Sequence, residues 1–439
     1  MTATQPGLQR RGFTSGLTGY HYLVLAVACM GWAFDTMDQW LFVFVKEHAI
    51  RDLLGGSGVP QEEVLKYAGW VQSCMLVGWA TGGLIFGIIG DRLGRTRTMA
   101  ITILMYAGFT GLSGLAQNWQ QFAVLRFLMG LGVGGEFAAG AALVAETFPD
   151  HSRAIALGIV QAASAFGNIA AAGVNLGMAS ILPPEQAWRW VFAIGILPGL
   201  LVFVIILFVK EPDKWVAANA EAKRLRAAGV KQRNQLLSLF TERGVRKSTL
   251  VGVGLATIGV IGFWGISTWT PELLRSILDE GLSPVLRERY VSLAGMAQNL
   301  GGFFGALCFA AVANRFGRRP AFAIALIGCS IVIPATFVFT TSFMLALAFF
   351  FSMGFVLLFF LGGFAVYFPE LFPTRLRATG TGFCYNVARY LSAAFPAFFG
   401  MIAAGVGIQK AALLLSSFFI LGLAIVYIAP ETKGKPLPE

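Results

Sequence analysis

Charge is scarce in this chain. Asp, Glu, Lys and Arg make up 13% of its 439 residues, about half the share that a water-soluble domain carries. Histidine is scarcer still: His21, His48 and His151 lie far apart in the sequence. The five cysteines (Cys29, Cys74, Cys308, Cys329, Cys384) all fall inside apolar runs without metal-ligand spacing. They read as small packing residues and say nothing of redox compartment. No glycine-rich loop is followed by Lys and Ser or Thr, so ATP-driven chemistry is not expected, and no cluster of side chains suggests an enzyme, a metal or a cofactor. The net charge is +11, yet the basic residues are nowhere gathered on one face or tail, which argues against nucleic acid; they sit between apolar runs.

Those runs are what the chain has in abundance. It is 56% hydrophobic with 53 glycines, and its mean hydropathy is +0.70. A bilayer core about 30 Å thick takes about 20 helical residues. Cutting at charged or turn-forming gaps gives twelve runs of that length: 22–45, 67–90, 98–116, 119–146, 153–179, 188–209, 249–271, 290–313, 320–340, 343–369, 377–404 and 409–429. An all-α polytopic membrane protein is therefore expected, in contact with lipid along most of its length. Most of the lysines and arginines fall on the N-terminus, the gaps after even-numbered runs and the C-terminus. The positive-inside rule then places both termini in the cytoplasm and the chain in the cytoplasmic (inner) membrane. Gln9-Arg10-Arg11-Gly12-Phe13 superficially resembles an export signal, but the next run is of full span length, holds two aspartates and is followed by no small-residue cleavage site.

The only long hydrophilic stretch, Lys210 to Lys247, carries ten basic and four acidic residues. It divides the chain into a first bundle (1–209), a linker (210–247) and a second bundle (248–439). Its Lys223-Arg224-Leu225-Arg226 cluster fits an amphipathic piece at an anionic leaflet. The two bundles repeat each other. Asp91-Arg92-Leu93-Gly94-Arg95-Thr96-Arg97 after run two returns as Asn314-Arg315-Phe316-Gly317-Arg318-Arg319 after run eight, 223 residues later. Glu146-Thr147-Phe148-Pro149 with Arg153 returns as Glu370-Leu371-Phe372-Pro373 with Arg377, 224 residues later. Six spans bring the chain back to its starting side, so the repeats are parallel. Two parallel six-span bundles facing one another across a midplane site form a transporter architecture, because they can rock and expose that site to one side at a time.

These motifs resemble a known family. Gly87-Ile88-Ile89-Gly90-Asp91-Arg92-Leu93-Gly94-Arg95-Thr96-Arg97 is similar to the signature loop of the major facilitator superfamily, and the weaker second copy stands where that superfamily puts it. Arg126-Phe127-Leu128-Met129-Gly130-Leu131-Gly132-Val133-Gly134-Gly135-Glu136 resembles span four of proton-coupled organic-acid symporters. Asp35-Thr36-Met37-Asp38 resembles the sialate and lactate symporter branch, while Pro430-Glu431-Thr432-Lys433-Gly434-Lys435 is similar to sugar porters. Span five lacks the Gly-Pro element of drug antiporters. The resemblance implies a twelve-helix fold gated at the signature loops by Asp91, Arg92, Arg95 and Arg315, with Glu146, Arg153, Glu370 and Arg377 in the same charge networks; the sequence does not give the oligomeric state, and function as a monomer is the expectation. For individual arginines, topology-setting alone is the competing account.

Five charges fall inside apolar runs: Asp35, Asp38, Arg126, Glu136 and Arg389. Each costs at least about 2.5 kcal/mol at helix centre on insertion scales, so such residues face a cavity or a partner. Asp35 and Asp38, three apart, share a helix face; two carboxylates that close in a poorly hydrated cavity repel each other, and one of them readily takes up a proton. Helix capping is the alternative for both. Arg389 stands twelve residues beyond Arg377, about 18 Å along a helix and so near mid-bilayer. The second half shows no acidic residue within a span, which suits Arg389 to a substrate carboxylate; an ion pair with Asp35 or Glu136 is the alternative. Arg126 and Glu136, about 15 Å apart on one helix, do not pair with each other, and the resemblance implies a proton-transfer role for Arg126. Uncharged candidates for the cavity are Gln161, Asn168, Tyr385 and Asn386, with Trp264, Trp269, Gln298 and Asn299 behind them. The expected function is proton-coupled import of a small organic anion. A carrier of a neutral solute is the alternative, and a non-transporting sensor or a drug exporter comes third.

Overall fold

A chain crossing hydrocarbon must satisfy every backbone N–H and C=O internally, and a helix does so within one segment. The structure, a computed structural model, describes residues 14–227, 235–279, 281–373 and 376–434; the 9–13 segment, Lys435 and the side chain of Asp91 lie outside the described set. Its helices are α1 (Gly19–Leu54), α2 (Gln61–Leu93), α3 (Arg95–Ser113), α4 (Trp119–Thr147), α5 (Asp150–Ile181), α6 (Pro184–Ile194), α7 (Leu201–Phe208), α8 (Asp213–Ala227), α9 (Gln235–Thr241), α10 (Arg243–Val260), α11 (Thr270–Ile277), α12 (Pro284–Phe316), α13 (Arg318–Phe339), α14 (Phe343–Leu371), α15 (Arg377–Ser392), α16 (Phe395–Val406), α17 (Ile408–Ser416) and α18 (Phe418–Ile428). Among the described residues there is no strand.

These helices make twelve spans. Ten segments are long and apolar enough to cross a membrane. The other two are α1, which carries Asp35, Asp38 and Lys46, and α3, which is 19 residues long and opens on Arg95 and Arg97. Four spans are broken. The sixth (α6, α7) is joined through a 3-10 turn at Leu197–Leu200 that contains Pro198, and the eleventh (α15, α16) breaks before Pro396, which offers no N–H to continue the helix. The seventh (α10, α11) is interrupted by a π-helical turn, Ile261–Ile266, and a 3-10 turn, Ser267–Trp269. The twelfth (α17, α18) pauses at Ser417. The starts of α1 and α10 and the linker helices α8 and α9 share one side of the molecule, here the linker face; the other side is the opposite face.

Small residues set the packing within each bundle. A methyl group on Gly78 or Gly82 of α2 would come within 2.2 or 2.0 Å of the carbonyl oxygens of Phe127 or Leu131 on α4. In the second bundle, Gly301 and Gly305 of α12 meet the carbonyl oxygens of Phe351 and Phe355 on α14 at 1.9 and 2.1 Å in the same construction. Each glycine of the first pair lies 223 positions before its counterpart, the spacing of the loop motifs. Without a hydrophobic drive in lipid, such close backbone approach is what van der Waals packing between spans needs. The turns from α2 to α3 and from α12 to α13 repeat likewise: Gly94 (φ +113°) and Gly317 (φ +107°) hold left-handed conformations that a side chain disfavours.

Candidate functional site

The two bundles meet along a seam that side-chain contacts cross from the opposite face to Thr81 and Tyr390. At mid-seam, Arg389 of α15 lies half-buried over the ring of Trp79 on α2, 4.2 Å from its centroid, with the Tyr385 ring at 5.9 Å. Trp79 in turn meets Trp264 edge to face at 5.5 Å. Arg389 donates to the Asn386 side-chain oxygen at 3.1 Å. Among the described residues no carboxylate comes within 4.0 Å of it, although Asp35 is near enough for its charge to be felt. Thr81 and Tyr390 join their hydroxyls across the seam at 2.7 Å. An arginine held by an aromatic face and one amide keeps the rest of its fork available to a planar anion.

Asp35 is fully buried on α1; one carboxylate oxygen accepts from Gln39 at 3.4 Å and the other has no donor among the described residues. It lies in the field of Glu136 as well as of Asp38 and Arg389. Glu136 on α4 is 1% exposed, and its carboxylate fills the space left by Gly31, where a methyl group would come within 2.3 Å of an oxygen. Ionised carboxylates so placed cost several kcal/mol each. Protonation removes that cost, and this is the chemistry the pair can perform.

Asp38 faces elsewhere. It reaches Arg126 of α4 at 3.5 Å, both side chains being fully buried. Arg126 also donates to Ser113 at 2.9 and 3.2 Å and lies 4.6 Å from the centroid of Phe192. Asp35 and Asp38 remain close enough for their charges to be felt, but their side-chain partners differ. One step of three residues rotates Asp38 far enough to enter the first bundle's interior, while Asp35 stays at the seam.

Of the uncharged candidates, Tyr385 and Asn386 adjoin Arg389. Gln161 is exposed. Asn168 donates across the seam to Asn299 at 2.7 Å, and Gln298 accepts from Thr270 at 2.7 Å; these amides bind the bundles or brace the seventh span. Trp269 is fully buried beneath Lys46.

On the linker face the structure pairs some of these charges. Glu146 takes Arg95 at 2.9 Å, and Glu370 takes Arg318 at 2.7 Å. Arg377 donates to the Pro369 carbonyl at 3.0 Å, the guanidinium of Arg315 lies over Phe316 at 5.3 Å, and Arg92 is exposed. Two carboxylates that the motifs did not single out as functional cap the following helices. Glu211 accepts from the N–H groups of Arg95, Thr96 and Arg97 at 2.7, 3.3 and 3.2 Å. Glu431 accepts from those of Arg318 and Arg319 at 2.9 Å each. Partial burial pushes the Glu431 carboxyl up, but these donors and those of Thr432 and Lys433 overcome it and leave it below the usual 4.5. The helix N-termini of α3 and α13 are the expected places for such anions.

A second cluster of charges escaped sequence reading. At the opposite face Lys46, Glu47, His48, Glu272, Arg275 and Glu288 meet at the seam. Glu272 and Glu288 are 2% exposed and lie on helices of the second bundle, which corrects the expectation that its spans hold no acidic residue. The apolar runs 22–45, 249–271 and 290–313 stop just short of these groups.

The profile of a family described as Sugar (and other) transporter matches residues 13–239 and 238–439. The Cis,cis-muconate transport protein of Acinetobacter baylyi is 30% identical over 374 residues, 84% of this chain and 86% of its own. The Sialic acid transporter NanX of Escherichia coli is 28% identical over 410 residues, 93% of each. A crystal structure of a D-xylose-proton symporter superposes with a TM-score of 0.74 at 19% identity, covering 95% of this chain and all of that one, a likeness of fold.

Proposed function

Because the chain belongs to the Sugar (and other) transporter family of the major facilitator superfamily, we propose that it is a secondary active carrier importing a small organic anion, a monocarboxylate or an acidic sugar, together with protons. The observation that carries this reading is Arg389: a mid-seam arginine with no carboxylate within 4.0 Å among the described residues, braced on Trp79 and Asn386. A substrate carboxylate completes it. Relatives named for muconate and sialic acid give the same chemistry.

By the positive-inside rule the linker face is cytoplasmic and the opposite face is outside, so the described state is closed to the outside. Asp35, with Glu136 beside it, carries the proton, and the coupling ion takes the place of any cofactor. Substrate and proton bind from outside with Asp35 neutral. After the bundles rock, proton loss restores the Asp35 charge in the field of Arg389, which weakens the hold on the substrate and releases it inward. One chain contains all of these groups. The signature loops, through Arg95 with Glu146 and Arg318 with Glu370, govern how the linker-face ends part.

The test is uptake by the reconstituted protein of radiolabelled lactate, pyruvate, muconate, sialate, an aromatic acid and glucose, with and without an inward proton gradient. Uptake of an acid that rises with the gradient and collapses in Arg389→Ala and Asp35→Asn is the expected result. Gradient-independent uptake of glucose alone would overturn both assignments and favour the neutral-solute reading.

A further inference from the structure

We propose that Lys46 is the switching cation of the outer gate, and that its separation from Glu272 is the step that opens this carrier to the outside. The word outer rests on the orientation proposed above; the pairing itself does not.

Lys46 has no exposed surface. Its ammonium donates to the Thr268 carbonyl at 2.8 Å, stands 3.9 Å from the Trp269 ring centroid and reaches Glu272 at 3.5 Å. All three belong to the second bundle. Its only partner from the first bundle among these contacts is the Gln72 side-chain oxygen, at 3.3 Å. Gln72 itself crosses the seam, donating to the Trp264 carbonyl at 2.8 Å and to the Thr268 hydroxyl at 2.7 Å. The carbonyl and the hydroxyl it uses come from the π-helical and 3-10 turns that interrupt the seventh span. The break in that span is therefore where the first bundle takes hold of the second.

The other charges at this level divide into those that part and those that stay. Arg275 and Glu288 form a two-pronged pair at 2.8 and 2.9 Å inside the second bundle, and Glu47 pairs with Arg51 at 3.5 Å on α1. Both pairs survive rocking. Contacts across the seam do not: Arg275 to the Phe44 carbonyl at 2.6 Å and to Glu47 at 3.6 Å, His48 to Glu288 at 3.0 Å, and Asn175 to Ser292 at 3.0 Å. In each of these the charged member keeps or lacks an opposite charge regardless of the gate. Lys46 and Glu272 differ. Lys46 loses its one carboxylate, and Glu272 keeps only the Arg275 contact at 3.6 Å. The Lys46–Glu272 contact is long, at 3.5 Å, and both side chains are shut off from solvent, so the pair is held chiefly by charge in a dry place. Water entering the open gate repays the separation of such a pair, which is the condition for a latch that releases as well as holds.

The test is hydrogen–deuterium exchange of the full chain in lipid nanodiscs without substrate, so a failure of the organic-anion reading leaves it intact. Lys46→Met is expected to move the balance toward the outward-open state on the order of tenfold. Exchange then rises in segments 40–50 and 264–276 and falls at the linker-face ends, 89–97 and 313–319. Glu272→Gln gives the same pattern if the lysine variant does not fold. Removing both charges together, Lys46→Met with Glu272→Met, returns both sides toward the wild-type pattern, because neither ion is left alone. Unchanged exchange on both faces, or a rise at the outer segments with no fall at the linker face, overturns the proposal, since the latter is local loosening and not a shift between states.

Discussion

Asp38 and Arg126 offer a decision between two roles for a membrane-buried carboxylate. Both side chains have no exposed surface, and they stand 3.5 Å apart. If Asp38 is the counter-ion of Arg126, replacing it with Asn leaves a guanidinium in the bundle interior beside the Ser113 hydroxyl and the Phe192 and Phe122 rings. Removing one partner of a buried pair costs about 3–5 kcal/mol. The contact here is long, so the lower end, about 3 kcal/mol, applies. For a bundle of about 200 residues, that lowers the melting temperature by roughly 6–12 °C. The double variant Asp38→Leu with Arg126→Met removes both charges and recovers most of the loss. The assay is tryptophan-fluorescence melting in detergent, run beside proton-gradient uptake in liposomes. Expected is a large melting deficit in Asp38→Asn, with gradient dependence kept in whatever protein folds, whereas Asp35→Asn melts normally and loses the gradient dependence. An Asp38→Asn protein that melts within a degree of wild type and no longer responds to the gradient refutes this reasoning and makes Asp38 a proton carrier.

Arg389→Lys keeps the charge but loses the fork and the stacking on Trp79; with about 1.5–3 kcal/mol for a charged hydrogen bond, binding of the transported acid by calorimetry weakens roughly 10- to 100-fold, and a change under threefold counts against a two-pronged contact. Glu431 is held below its usual value by backbone donors, so its contribution is complete above about pH 4.5 and is lost as pH falls through the lower folded value. Melting of the wild type therefore declines on acidification below that point, and Glu431→Gln, already lacking the charge, does not show this component. Gly301→Ala sets a methyl group 1.9 Å from the Phe351 carbonyl oxygen; the α12–α14 crossing must widen, and gel filtration is expected to show less monodisperse protein, with an unaltered profile counting against tight contact there.

What the sequence disclosed and what it hid follow from how far apart interacting residues lie. The duplicated turns at Gly94 and Gly317 and the crossings at Gly78 and Gly301 were legible because a backbone constraint leaves a glycine at a fixed place in each copy. Arg389 was legible because an ion in hydrocarbon is conspicuous whatever surrounds it. The pairings were not. Glu146 takes Arg95, 51 residues away, because the α2–α3 turn swings that arginine under the end of α4, and no local pattern encodes that. Lys46, Glu47 and His48 looked like the polar end of a span, yet α1 continues to Leu54. Its charges are accepted there by Thr268, Glu272 and Glu288, more than 220 positions on, residues that a single span cannot announce.

Helix α1 ties these sites together by geometry. At about 100° per residue, the eleven positions from Asp35 to Lys46 amount to three turns and about 20°, so the two lie on one stripe facing the second bundle, about 16 Å apart along the axis. Asp38 is about 60° off that stripe on the other side of Asp35 and turns into the first bundle toward Arg126. Anchored by that internal pair, α1 moves with its own bundle as one rod. A tilt that draws Lys46 from Glu272 at the opposite face therefore also changes where Asp35 stands relative to Arg389. The proposed proton site and the proposed outer gate are two points on one element, so a charge change at either one is expected to bias the position of the other.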